Sequence, residues 1–205
     1  MKSKYVKKLV LLALFLAIEF ILIISPLGYV NVGPVRATTL HIPVIIASIV
    51  LGPKYGMFVG LFFGASSVAI NTFSPTPASF LFSPFYQVGQ YKGSIFSLII
   101  ALVPRIGLGY FSYYTYHFLQ KGIKQNDVAI ALSACLNTLL HSALVLGFIY
   151  IFYAEGYAAL KGVSVSKVLG IIASIIAVNG VLETAVAGGV VLAVCKVMFK
   201  LYKED

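Results

Sequence analysis

Apolar runs long enough to cross a bilayer fill most of this 205-residue chain, separated by short polar or Gly/Pro-broken breaks. A span needs about 20 mostly apolar residues, range roughly 17–25. The first run predicts a helix over 8–25, stopped by Pro26 and Gly28. Residues 26–39 are polar and Gly/Pro-broken, and read as a loop. A long apolar stretch follows, split by Gly52-Pro53-Lys54, a turn signal. It predicts a short helix over 40–52 and a second over 54–72. Residues 73–93 are apolar but carry Pro75, Pro77 and Pro84, so they predict a structured loop rather than a span. Further helices are expected over 94–119, 127–153 and 167–199, with a loop over 155–166.

The expectation is one all-α membrane domain over 1–205, a bundle of six transmembrane helices with outer lid loops at 26–39 and 73–93. Composition agrees. The chain is 60% hydrophobic and only 10% charged, whereas a soluble domain is roughly 45–50% apolar and about 25% charged. The basic start and apolar run resemble a signal peptide but lack a small-residue cleavage site, so they read as an uncleaved first helix.

The net charge of +9 would suggest nucleic acid in a soluble protein. Here its distribution speaks for topology instead. Six spans place Lys2, Lys4, Lys7, Lys8, Lys54, Lys121, Lys124, Lys196, Lys200 and Lys203 on one side. The other side receives Arg36, Lys92, Lys161 and Lys167. Basic residues favour the cytoplasm, so both termini are expected there. No basic groove interleaved with aromatics is present, and no nucleic-acid partner is expected.

Ionisable groups at membrane depth cost about 2.5–3.5 kcal/mol on insertion scales, which makes each a functional candidate. The set is Glu19, Arg105, His141 and Glu183, with the amides Asn71, Asn137 and Asn179. Arg105 lies near the middle of its span, where a guanidinium could receive an anion bidentately or pair with Glu19 or Glu183. Asn137 and His141 share a helix face at i, i+4, and so do Asn179 and Glu183. Such ladders suit a ligand bearing hydroxyls and amides, or hydrogen bonds between helices. Asn71 could equally anchor the loop that follows it. Gly56, Gly60 and Gly64 form GxxxGxxxG, a close-packing pattern. Ala13 and Ala17 form AxxxA on the first helix.

Several chemistries lack their motifs. There is no GxxxxGK[ST], HExxH or GxSxG, and Cys135 and Cys195 have neither CxxC nor metal-ligand spacing. No enzyme, metal or cofactor is expected; a small intramembrane enzyme is the rival of another class.

These features resemble the substrate-binding S components of energy-coupling factor (ECF) vitamin transporters. The segment Arg36–Gly56, RATTLHIPVIIASIVLGPKYG, resembles the second helix and turn of the folate and pantothenate members. Asn71–Phe85, NTFSPTPASFLFSPF, and Val103-Pro104-Arg105 resemble the pantothenate type. The resemblance implies a prokaryotic cell-membrane protein that binds a vitamin from outside. It also implies partners, a transmembrane coupling protein and two ATPase subunits that use ATP, with Ala13 and Ala17 packing on the coupling protein. Pantothenate would set its carboxylate on Arg105 and its hydroxyls and amide on Asn137, His141 and Asn179. Phe80, Phe82, Phe85 and Tyr86 would line its gem-dimethyl group. Glu183 could orient Arg105 or bond a hydroxyl, or could point to hydroxymethylpyrimidine or pyridoxine instead; folate would need a larger pocket.

Overall fold

The computed structural model describes residues 2–32 and 35–203, with the side chains of 2–4, 30–37, 179, 182 and 202–203 outside that description. Six α-helices dominate: α1 (Lys2–Ile24), α2 (His41–Leu51), α3 (Pro53–Phe73), α4 (Ile95–Gly122), α5 (Asn126–Lys161) and α6 (Val168–Lys203). Among the described residues, four segments are long and apolar enough to cross a membrane, Pro53–Phe73, Ile95–Gly122, Asn126–Lys161 and Val165–Leu201. The eleven residues of α2 rise about 16 Å. That is about half of a hydrocarbon core of about 30 Å, so α2 alone does not cross.

The short α2 is instead the centre of the molecule. Ten of its residues are buried, and it touches α1, α3, α4, α5 and α6. A helix that is apolar on every side is stable only when neighbours cover every side. Here Phe15, Val59, Phe63, Leu108, Ile130 and Val191 pack into the same core as Leu40, Ile45 and Ile49.

The glycine repeat of α3 packs on α4. A Cβ on Gly60 would overlap the Arg105 carbonyl oxygen, and one on Gly64 would stand 2.8 Å from the Ala101 oxygen. Missing side chains therefore bring the two backbones together, and the segment carrying Arg105 lies directly on α3.

Three expectations need correction. Residues 26–39 are not an irregular loop. They contain an antiparallel hairpin, β1 (Tyr29–Val32) and β2 (Val35–Thr38), with Tyr29 opposite Thr38 and Val32 opposite Val35. Its β-branched content favours strands, which the Gly/Pro signal masked. Residues 155–161 are helical, not loop, because α5 continues to Lys161 through a single non-helical residue, Tyr153 (φ −139°, ψ 29°). Gly162 closes the helix in the left-handed conformation at φ 64°, the usual glycine stop. Finally, α1 begins at Lys2 rather than near residue 8, and α4 and α6 run to 122 and 203.

The 74–94 loop is structured, as expected, and its middle is buried. A 3-10 turn at Ser79–Leu81 places Phe80 and Leu81 in a second core with Ile100, Ile149 and Tyr157. Ser97 Oγ donates to the Phe80 carbonyl at 2.7 Å. A two-residue hairpin, β3 (Gln87–Val88) and β4 (Tyr91–Lys92), completes the loop. The Tyr153 hydroxyl lies 2.8 Å from both Ser94 Oγ and Ser97 Oγ, so the break in α5 faces this loop.

Candidate binding site inside the bundle

Arg105 is 5% exposed, and its position follows from Pro104. A proline has no N–H, so the carbonyl four residues earlier loses its helical donor. That carbonyl belongs to Ile100, and Arg105 Nη1 donates to it. The guanidinium thus replaces the missing amide and lies folded along its own helix. Among the described residues its Nε has no hydrogen-bond partner. The guanidinium carbon sits 5.3 Å from the Phe63 ring centroid and 5.5 Å from that of Phe82. Two aromatic faces thus flank the cation, one from α3 and one from the 74–94 loop.

Two histidines stand beside this group. His141 of α5 is 5.9 Å from Phe63, ring to ring, and stacks at 6.3 Å and 17° on His41 of α2. His41 Nδ1 lies 2.9 Å from the Thr38 carbonyl. A carbonyl only accepts, so Nδ1 carries the proton, and in the neutral ring Nε2 is an acceptor. The Nε2 atoms of both rings are buried without a partner among the described residues. Because Thr38 ends the β1–β2 hairpin, the hairpin sets the His41 tautomer.

Tyr29, at the start of that hairpin, lies within electrostatic reach of Arg105 and Glu19. Its hydroxyl is 2.9 Å from Ser66 Oγ on α3. Glu19 is fully buried on α1, and among the described residues neither carboxylate oxygen has a hydrogen-bond partner. The cluster therefore draws on α1, the hairpin, α2, α3, the 74–94 loop, α4 and α5. It combines one cation, one carboxyl group, two imidazoles, one phenol and two phenyl rings. Buried polar atoms are normally hydrogen-bonded, and a polar guest is one way to satisfy this concentration of unpartnered ones. Among the described residues no group of three or more His, Cys, Asp or Glu could hold a metal ion.

The family model of the ECF transporter substrate-specific component matches residues 7–195. A pantothenic acid transporter, PanT, of Lactococcus lactis subsp. cremoris (strain MG1363) is similar to this chain. It is 38% identical over 190 residues, 91% of each chain. The chain belongs to the ECF S-component family.

The remaining expected residues of this S component distribute unevenly. Asn137 is buried one turn before His141. Its Nδ2 donates to the Ser133 carbonyl at 2.8 Å, while Oδ1 has no partner among the described residues. Glu183 lies within reach of the Ser142 side chain of α5, and among the described residues no ion pair joins Arg105 to Glu19 or Glu183. Asn179 lies on α6, its side chain outside the described residues. Asn71 is internally satisfied, donating to the Ser67 carbonyl at 2.8 Å and accepting from Ser79 Oγ at 2.7 Å. It ties the loop to α3. Phe82 reaches the guanidinium, whereas Phe80 belongs to the second core, with Tyr86 packed against it. Phe85 is 77% exposed and stands away from the cluster.

Sequence reasoning missed His41, Phe63 and Tyr29. His41 sits at a helix start rather than mid-span, and Phe63 reads as one more apolar residue. Tyr29 fell in a stretch read as loop. Ala13 and Ala17 face outward from α1, beside the exposed Val10, Leu14 and Ile21.

Proposed function

We propose that this S component captures pantothenate and hands it to a separate energising module, with no chemistry of its own. The observation that carries the reading is the buried Arg105 guanidinium, whose Nε has no hydrogen-bond partner among the described residues. A carboxylate seated on the Nε–Nη2 edge would make two parallel charge-assisted bonds. Phe63 and Phe82 exclude water from that pair and offer apolar wall to a gem-dimethyl group. His41 Nε2 accepts from one hydroxyl, and His141 Nε2 and Asn137 Oδ1 add polar capacity for the second hydroxyl and the amide. The similarity to a pantothenic acid transporter supports the same ligand.

In a prokaryotic cell membrane the β1–β2 hairpin and α2 together make one traverse, which gives six passes and cytoplasmic termini, in line with the lysine distribution. The outward-facing Ala13 and Ala17 offer a smooth stripe where a helix of the coupling protein can approach closely. The ATPase subunits, not this chain, use ATP.

Calorimetry on the purified chain tests the ligand. Pantothenate should bind, and Arg105→Ala should abolish detectable binding. Unchanged affinity in that variant, or preferential binding of pyridoxine or a hydroxymethylpyrimidine, would overturn the reading.

A further inference from the structure

The end of the bundle far from Arg105 carries a second feature, a cavity of about 1150 Å³. Its wall includes Leu51 at the far end of α2 from His41, and Tyr116 on α4. Eleven residues separate Tyr116 from Arg105, a rise of about 16 Å, so this cavity is distinct from the binding cluster. Lys8, Lys54, Lys196 and Lys200 line it against a single acid, Asp127.

Two of these lysines are engaged. Lys196 pairs with Asp127 at 2.6 Å, and Lys8 donates to the Leu51 carbonyl at 3.4 Å. Lys54 and Lys200 make no hydrogen bond or ion pair among the described residues. The helix starts at Pro53 (α3) and Asn126 (α5) also open here, and neither has a side-chain cap. Their unpaired N–H groups add positive potential. The floor is a closed neutral network. Tyr116 donates to Asn126 Oδ1 at 2.8 Å, and Gln120 Nε2 donates to both. The excess charge of the wall is therefore not spent inside the protein.

Depth decides what can reach it. Tyr110, Tyr114 and Phe118 form an exposed ridge on α4 at i, i+4, i+8. Aromatic residues concentrate at the headgroup level of a bilayer, and the same turns of α4 contribute Tyr113 and His117 to the cavity. With the termini cytoplasmic, as proposed above, the cavity opens among the headgroups of the leaflet richest in anionic lipid.

We infer that this cavity is a site for a phosphate-bearing anion, occupied by the headgroup of an anionic phospholipid. Lys54 and Lys200 would hold the phosphate between the two helix starts, with the acyl chains along the exposed α4 ridge.

Native mass spectrometry of the full chain in detergent doped with phosphatidylglycerol or phosphatidylcholine tests this. Phosphatidylglycerol should be retained at least tenfold more. The double variant Lys54→Gln, Lys200→Gln should lose that preference. Lys121→Gln with Lys124→Gln removes the same charge from the same end outside the cavity, and should leave it within twofold. Equal loss from both pairs, or no lipid preference together with no retention of inorganic phosphate supplied in a separate arm, would overturn the site. Retention of inorganic phosphate without lipid preference would overturn the lipid as occupant. Unfolding of the double variant, seen as a lowered thermal midpoint, passes the test to Lys54→Gln alone, which should cut the preference at least threefold.

Discussion

Arg105 donates through Nη1 to the Ile100 carbonyl, the same carbonyl that Pro104 leaves without an amide donor. The proline thus creates the acceptor that holds the arginine beside it. In an apolar interior that acceptor has no water to turn to, so the guanidinium is both recruited and oriented.

Restoring the amide should release the arginine. Pro104→Ala returns an N–H to Ile100 and repairs the helix, so the thermal midpoint should hold or rise. Pantothenate affinity should fall about tenfold in calorimetry, because a free guanidinium must be ordered on binding. An unchanged Kd would mean that this bond does not position Arg105.

Charge alone should not replace the fork. Arg105→Lys keeps a cation but loses the planar edge for a carboxylate and a donor that reaches Ile100. Truncating one partner of a buried charge pair costs about 2–5 kcal/mol, so affinity should drop at least 30-fold. Near-normal binding by the lysine variant would show that the contact is not bidentate.

The α3–α4 contact can be tested with one methyl group. Gly60→Ala would drive a Cβ into the Arg105 carbonyl, and overpacking of this kind costs about 1–3 kcal/mol. A lower thermal midpoint and weaker pantothenate binding are expected together. Gly107→Ala is the control, since its Cβ would meet only the Phe111 ring at 3.5 Å. Equal effects at both positions would remove the close contact as the cause.

His41 should act as an acceptor. Its Nδ1 proton is held by Thr38, which leaves Nε2 for a ligand hydroxyl. His41→Phe keeps the ring stack on His141 and removes that acceptor, so affinity should fall about tenfold, in keeping with a net hydrogen bond of about 0.5–1.5 kcal/mol. A deoxy analogue lacking the bonded hydroxyl should lose nothing further in this variant. Additive losses would place the hydroxyl elsewhere.

Binding and transport should separate at Ala13 and Ala17. Both face outward on α1, away from the cluster. Ala13→Phe or Ala17→Phe should leave pantothenate affinity within twofold and abolish uptake by cells carrying the full transporter. Normal uptake would exclude this stripe as the coupling surface.

The helices were readable because apolar runs divided by charged or Gly/Pro-broken segments give a signal that needs no partner, although α2, at eleven residues, is too short to be the span expected of it. Arg105 was readable for the same reason, as a guanidinium at that depth needs an explanation wherever it points. The residues 155–161 were not, because Glu155 and Gly156 look like loop. Their helix is held by packing of Gly156 and Tyr157 on Phe80, a residue some 75 positions away. The hairpin was hidden by Gly33 and Pro34, whose turn signal outweighed the strand-forming valines beside it.

The chain's own pattern of residues settled membrane residence, the number of helices, and which polar groups would need a reason to be buried. Those are properties of each segment's solvation, and solvation is local. Which of those groups meet was decided only by the folded bundle. Arg105, His41, His141, Phe63 and Phe82 come from five separate elements. Their convergence depends on a glycine face on α3, a hairpin that fixes one tautomer, and a loop turned inward. Asn71 found its partners in its own helix and the 74–94 loop, because a polar group in an apolar interior bonds whatever packing places within reach.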